Sequence, residues 1–256
     1  MANIPVPRAL FREAHWKVAV DCKICRSSSS LYGVVDFNKS CEEAREAFLP
    51  LLGWPVYYYQ CSVCGLVFTV DFDHWSKQQF IDEIYNQDYV KVDPDYAEVR
   101  PINNAKMVAE FVQKNTTLAM LDYGGGNGRL AAELTALGFD AMSFDPMIDD
   151  APAPDGSGYQ LITAFEVMEH TPNPVETMAE MAGFLGDGGA ILFSTLTIDS
   201  LPPRNVGFWY ISPRNGHVTI YTKKSLQVLA EGLSLEIHHF NDGLHLVYDK
   251  VPSWLK

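Results

Sequence analysis

No apolar run in this 256-residue sequence approaches the ~20 residues that a membrane-spanning helix needs, so no transmembrane helix is expected. The first twenty residues, MANIPVPRALFREAHWKVAV, lack the basic-then-apolar layout and small-residue cleavage site of a secretory signal, which makes a cytoplasmic location the expectation. Positive charge is also scarce. Against 32 Asp and Glu stand only 19 Lys and Arg, a formal net charge of -13, and that balance repels both a phosphate backbone and an anionic bilayer. A grip on nucleic acid over many phosphates is therefore not expected. Internal repeats and low-complexity tracts are absent, while 47% hydrophobic residues supply ample material for a core.

Cysteine is sparse, but its placement is informative. Four of the five cysteines form two pairs of one spacing, Cys22-Lys-Ile-Cys25 and Cys61-Ser-Val-Cys64, the second followed by Gly65. Each short loop aims two thiolates at one point, and two such loops complete the four-sulfur shell that a structural zinc ion prefers. The alternatives are a pair of disulfides or four unrelated thiols. The 35 residues between the pairs exceed the usual ~15 to 20. An inserted element is required, and CEEAREAFLPLLG, residues 41–53, is a candidate helix. Cys41 itself reads as a small buried hydrophobe rather than a ligand. A closed four-cysteine site has no open position for chemistry, so residues 1–75 form a zinc-binding module devoted to folding and docking.

Residues 76–104 read as a helical, aromatic-rich connector, and residues 105–256 as a nucleotide-type domain. Helical and strand patterns alternate there: a helix around Met107, Val108, Phe111 and Val112, then TLAMLDYG, RLAAELTALG, AMSFD, YQLITAF, PVETMAEMAGFLG and AILFSTL. That alternation predicts an α/β fold with a doubly wound Rossmann-like sheet. Only 15 residues, rich in Asp, Pro and Gly, separate Asp145 from Leu161, so the second crossover is shortened. Asn241-Asp242-Gly243 between SLEIHHF and HLVYD predicts a hairpin and an antiparallel final strand.

LDYGGGNGRL places Gly124, Gly126 and Gly128 between a strand and a helix, where backbone N–H groups and the helix terminus favour an anionic ligand group. Asp145 lies 17 positions beyond Gly128, at a strand end, where a carboxylate accepts ribose hydroxyls. The same segment satisfies the relaxed dinucleotide fingerprint, so an NAD-dependent oxidoreductase stands beside other adenosine-cofactor enzymes. A non-catalytic zinc-ribbon protein with a degenerate nucleotide fold is a further alternative.

Taken in order, Asp122-x-Gly124-x-Gly126-x-Gly128, then Asp145, then LITAFEVMEHTPNP with Phe165, then LGDGGAILFST resemble class I S-adenosylmethionine-dependent methyltransferases over about residues 105–250. The resemblance implies that the glycine loop and Asp122 hold the methionine end of the cofactor. It gives the ribose to Asp145 and places the adenine beside the loop after the shortened crossover. With its CxxC pairs, the chain is also similar to sugar methyltransferases that carry a zinc-binding head.

Glu166-Val-Met-Glu169-His170 begins at the carboxyl end of a strand, the edge where open α/β sheets bind ligands. In a helix, its two carboxylates and imidazole share one face and converge on a hard cation such as Mg2+ or Mn2+. This ExxEH pattern resembles the metal site of ubiquinone-pathway O-methyltransferases and of small-RNA 2'-O-methyltransferases, the latter adding a histidine for which His217 is the matching candidate. A metal there lowers the pKa of a substrate hydroxyl. Alternatively His170 or His217 acts as a plain general base. The segment LTIDSLPPRNVGFWYISPRNGH is a candidate lid, with Trp209 and Tyr210 to stack on a ring and Arg214 to bind a carboxylate or phosphate. The expected acceptor is a hydroxyl of a small molecule, a glycan or a lipid-linked compound.

Overall fold

Two β-sheets divide the chain in the computed structural model, which describes residues 17, 19–113, 115–148, 154 and 156–255. The first sheet begins with β1 (Ala19–Asp21), β2 (Ser28–Asp36), β3 (Pro55–Cys61) and β4 (Val67–Thr69), all antiparallel neighbours. Residues 41–53 do not form the expected helix. A 3-10 turn, Cys41–Arg45, ends at Glu46 in the left-handed region (φ 61), and Pro50 and Gly53 keep the following loop irregular.

Helix α1 (Lys77–Glu83) starts at Ser76 in a capping box with Gln79, and α2 (Val99–Phe111) leads into the second sheet. That sheet contains β5 (Ala119–Tyr123), β6 (Asp140–Phe144), β7 (Tyr159–Ala164) and β8 (Leu185–Ser194), with α3 (Arg129–Ala136) and α4 (Pro174–Gly183) between them. The short strand β9 (Thr219–Ile220), helix α5 (Lys223–Gly232), β10 (Glu236–His239) and β11 (Leu244–Tyr248) complete the chain. Strand order is β10-β11-β8-β7-β5-β6, with β5 to β8 parallel and β11 antiparallel to β8. The antiparallel end and the hairpin follow the Asn-Asp-Gly signal, Asn241 Oδ1 accepting from the Gly243 and Leu244 N–H groups. Between β6 and β7 no helix occurs among the described residues, although part of this crossover and residues 1–16 lie outside them.

The two sheets share one core. Tyr59, Leu66 and Phe68 of the first sheet region pack in the same buried cluster as Leu121, Ile162 and Ile191 of the parallel sheet. Each large side chain buried there contributes ~1.5 to 3 kcal/mol. Strand β9, from late in the chain, pairs with β4, and Thr222 Oγ1 donates to the Cys64 carbonyl at 2.7 Å. Thr222 also caps α5. The cysteine loops are therefore fastened to the C-terminal half by a strand and a helix cap.

Candidate functional site

The loop after β5 forms an open cradle. Gly124 has φ +70 and lies so close to Val167 that a Cβ would meet its Cγ2 at 2.5 Å, so only glycine fits. Gly126 has φ +54, and a Cβ at that position would meet nothing within 4 Å, which leaves the backbone accessible. Asp145, half-buried at the end of β6, accepts from the Gly126 N–H at 2.9 Å and the Met147 N–H at 2.7 Å. Asp122 is buried beneath this loop. Its Oδ1 accepts from Thr163 Oγ1 at 3.0 Å, whereas Oδ2 has no partner, and burial pushes its carboxyl up to about 7. A cofactor that brings a cationic or hydrogen-bonding group to the cradle fits that orphan oxygen. Phe165 is half-buried against the core on the α2 side of the sheet.

Beyond β7 the chain does not form the helix on which a shared ExxEH face depends. Glu166 takes a left-handed conformation (φ 56), and a 3-10 turn spans Met168–His170. Glu166 is consequently turned to other partners: its N–H donates to Ser194 Oγ at 3.0 Å, Ser194 donates back to Oε1 at 3.1 Å, and Arg100 lies 3.8 Å from Oε2. Glu169, His170 and His217 do come together, with ligand atoms all within 4.8 Å of one another. Glu169 is fully buried; burial, reinforced by the charge of Glu166, pushes it up to about 8, and Oε2 has no hydrogen-bond partner. Burial pushes His170 down to about 4, and burial with the neighbouring His170 drives His217 well below its ordinary value. Both imidazoles are thus neutral at pH 7.

His217 Nδ1 lies 2.8 Å from the Tyr210 carbonyl, an acceptor only, so Nδ1 carries the proton and Nε2 keeps its lone pair. Tyr85 Oη lies 3.1 Å from His170 Nδ1. The outward atoms of the cluster are occupied by protein, an arrangement that suits inward metal ligands. His217 also lines a cavity of about 470 Å3 with Arg100, Ser194, Thr195, Trp209 and Tyr210. Cys41 lines it too. Rather than a plain buried hydrophobe, it is a half-buried thiol 3.0 Å from Ser212 Oγ, pushed up to about 12 by burial.

The loop between β8 and β9 departs from the expected lid in two residues. Arg214 is buried and donates to the Ile84 carbonyl at 3.0 Å, leaving it unavailable to a substrate anion. Tyr210 is 3% exposed, its hydroxyl donating to Glu169 Oε1 at 2.5 Å, so it does not stack on a substrate ring. Trp209, half-buried on the cavity wall, retains that option.

In the first sheet, Cys22 and Cys64 sulfurs lie 3.6 Å apart, Cys25 and Cys61 3.4 Å, and Cys25 and Cys64 3.7 Å. These spacings approach the ~3.8 Å edge of a tetrahedral zinc–thiolate shell with bonds of ~2.3 Å. All four thiols are free, and hydrogen bonding from Cys64 brings Cys22 down to about 5.

A protein-family model described as "Methyltransferase domain" matches residues 80–239, more than half of the chain. The chain belongs to the methyltransferase domain family. Among curated proteins, it is similar to the ubiquinone biosynthesis O-methyltransferase of Methylococcus capsulatus, 28% identical over 133 residues, 41% of this chain and 55% of that protein. The corresponding enzyme of Nitrosococcus oceani is 26% identical over 127 residues, covering 39% and 54%. The match thus spans about half the length of these curated relatives. A solved structure of the plantazolicin methyltransferase BpumL in complex with SAH superposes with a TM-score of 0.48 at 13% identity, over 68% of this chain and 94% of that one. Within this methyltransferase domain, sequence reasoning missed Arg100, Ser194 and Tyr85; Arg100 and Tyr85 lie in no motif, and Ser194, although inside the LGDGGAILFST block, meets Glu166 only through the tertiary fold.

Proposed function

We propose that this methyltransferase transfers a methyl group from S-adenosylmethionine to a hydroxyl oxygen of a small molecule, glycan or lipid-linked acceptor in a reducing, cytoplasmic setting. The observation that carries the reading is that the glycine cradle after β5 and the cavity after β7 and β8, lined by Glu166, Ser194 and His217, lie at the same carboxyl edge of one parallel sheet. Gly124, Gly126, Gly128 and Asp145 bind the cofactor, the buried Asp122 receives a donor from it, and Phe165 flanks the pocket. S-adenosylmethionine supplies a methyl group already activated by its positive sulfur.

What remains for the chain is in-line positioning and an acceptor oxygen freed of its proton. Glu169, His170 and His217 would hold a divalent cation such as Mg2+ or Mn2+, which would supply Lewis acidity to lower the pKa of the hydroxyl. The unpartnered Glu169 oxygen and the convergence of Glu169, His170 and His217 ligand atoms within 4.8 Å of one another support that donor set. Glu166, paired with Ser194 and Arg100, shapes the wall. Cys22, Cys25, Cys61 and Cys64 hold a structural zinc ion in the N-terminal module.

Calorimetric titration with S-adenosylmethionine and, separately, NAD tests the cofactor. Binding of the first and not the second is expected, and the reverse would return the chain to the oxidoreductase reading. A chelator that abolishes methyl transfer yet leaves cofactor affinity intact supports the divalent cation, whereas full activity after chelation removes it.

A further inference from the structure

Tyr210 is hydrogen-bonded to two members of the cluster at once. Its hydroxyl donates to Glu169 Oε1 at 2.5 Å, and its carbonyl accepts from His217 Nδ1 at 2.8 Å. The Leu196 N–H donates to the same hydroxyl at 3.2 Å, and the Tyr210 and His217 rings pack edge-on with centroids 4.3 Å apart. The residue is 3% exposed, on the wall of the cavity.

We propose that Tyr210 is the positioning residue that assembles this site, its side chain fixing Glu169 and its main chain fixing His217. The hydroxyl occupies Glu169 Oε1 and leaves Oε2 as the free oxygen. The carbonyl commits His217 to the Nδ1–H tautomer and leaves Nε2 as the free nitrogen. Because one residue of the β8–β9 loop does both, the ordering of that loop and the assembly of the cluster are one event. Phenylalanine would fill the same volume, but it would leave a buried carboxylate oxygen and the Leu196 N–H unpaired. The inference rests on reading Glu169, His170 and His217 as the site that handles the acceptor oxygen.

Two measurements on the full, zinc-replete chain test it. In 15N-histidine-labelled wild-type protein, His217 should be entirely the Nδ1–H tautomer, and an Nε2–H form or a mixture overturns the proposal without recourse to any variant. In Tyr210→Phe, Mn2+ titrated alone and followed by electron paramagnetic resonance of the free ion should bind 10- to 100-fold more weakly, the usual consequence of losing a partner behind a ligand. Affinity for S-adenosylhomocysteine should be unchanged. Equal Mn2+ affinity in the two proteins overturns the proposal. A wild-type protein that takes up no Mn2+ sinks the cation reading alone. Positioning then stands on His217, whose resonances should shift or broaden in Tyr210→Phe and whose unchanged spectrum would dismiss it.

Discussion

Four thiols in the N-terminal sheet and a carboxyl with two imidazoles at the edge of the parallel sheet each surround a point, yet their neighbours treat them differently. The thiols turn toward one another, with sulfur contacts of 3.4 to 3.7 Å and backbone N–H groups of Val63 and Cys64 donating to Cys61 Sγ. In the second cluster, the outward atoms are spoken for by Tyr210 and Tyr85 while one oxygen of Glu169 stays unpartnered. On the proposed reading, the first arrangement is closed by a zinc ion and serves the fold. The second borders a cavity through His217, where the proposed function places the acceptor.

The largest effect should come from opening the closed cluster. Cys22→Ser with Cys64→Ser should reduce zinc from about one per chain to none by metal analysis. It should also remove the cooperative melting of the N-terminal sheet, since four-thiolate binding is worth ~10 kcal/mol or more of folding energy in zinc-finger peptides. Retention of a sharp melt in zinc-free protein would erase the contrast between the two clusters.

His217→Ala should leave S-adenosylhomocysteine affinity unchanged and lower turnover by at least ~10- to 100-fold, the loss already seen when only a partner behind a metal ligand is removed. Steady-state kinetics on an accepted hydroxyl substrate checks it, and near-normal turnover would reduce the second cluster to a packing feature.

Acid should act on the second region through His245, fully buried, whose Nε2 donates to the Thr195 carbonyl at 3.0 Å beside the cavity. Burial lowers it from 6.5 to about 4. The folded state therefore binds fewer protons than the unfolded chain. Its stabilisation is complete above pH 6.5 and is lost as pH falls toward 4, by ~3 kcal/mol at about 1.4 kcal/mol per unit. Denaturant unfolding at pH 7, 5 and 4 should show this decline, to which the buried His170 and His217 add in the same direction, and His245→Gln should make it shallower by the His245 share.

The smallest expected effect lies outside both clusters and serves as their reference. Asp145→Ala should weaken S-adenosylhomocysteine by ~1 to 3 kcal/mol in calorimetry, the worth of hydrogen bonds to a charged group. An unchanged affinity would remove Asp145 from the cofactor site.

The thiol cluster was legible because a CxxC loop is local chemistry, written within four residues. The alternating strands and helices were legible for the same reason, through periodicity, and the hairpin through Asn241-Asp242-Gly243. What escaped was tertiary. Two residues, Thr219 and Ile220, have no periodic signature, so the β4–β9 pairing could not be read. A single left-handed residue, Glu166, separates it from Glu169 and defeats the i, i+3 expectation. An aromatic residue in a loop reads alike whether its ring meets a ligand or its hydroxyl meets a buried carboxylate, so the sequence suggests stacking for Tyr210 where the fold gives it a hydrogen bond. Arg214 failed likewise: no local pattern shows that its guanidinium meets the Ile84 carbonyl.

The β8–β9 loop is moored to the N-terminal module at several points. The Arg214 N–H donates to the Lys39 carbonyl, Lys39 Nζ to the Phe208 carbonyl, the Cys41 N–H to Asn215 Oδ1, and β9 closes on β4. Anyone grafting this loop onto another methyltransferase to change its acceptor would transplant a cable without its anchorage. A chimera that carries the loop together with residues 19–75 is the smallest unit that preserves those moorings.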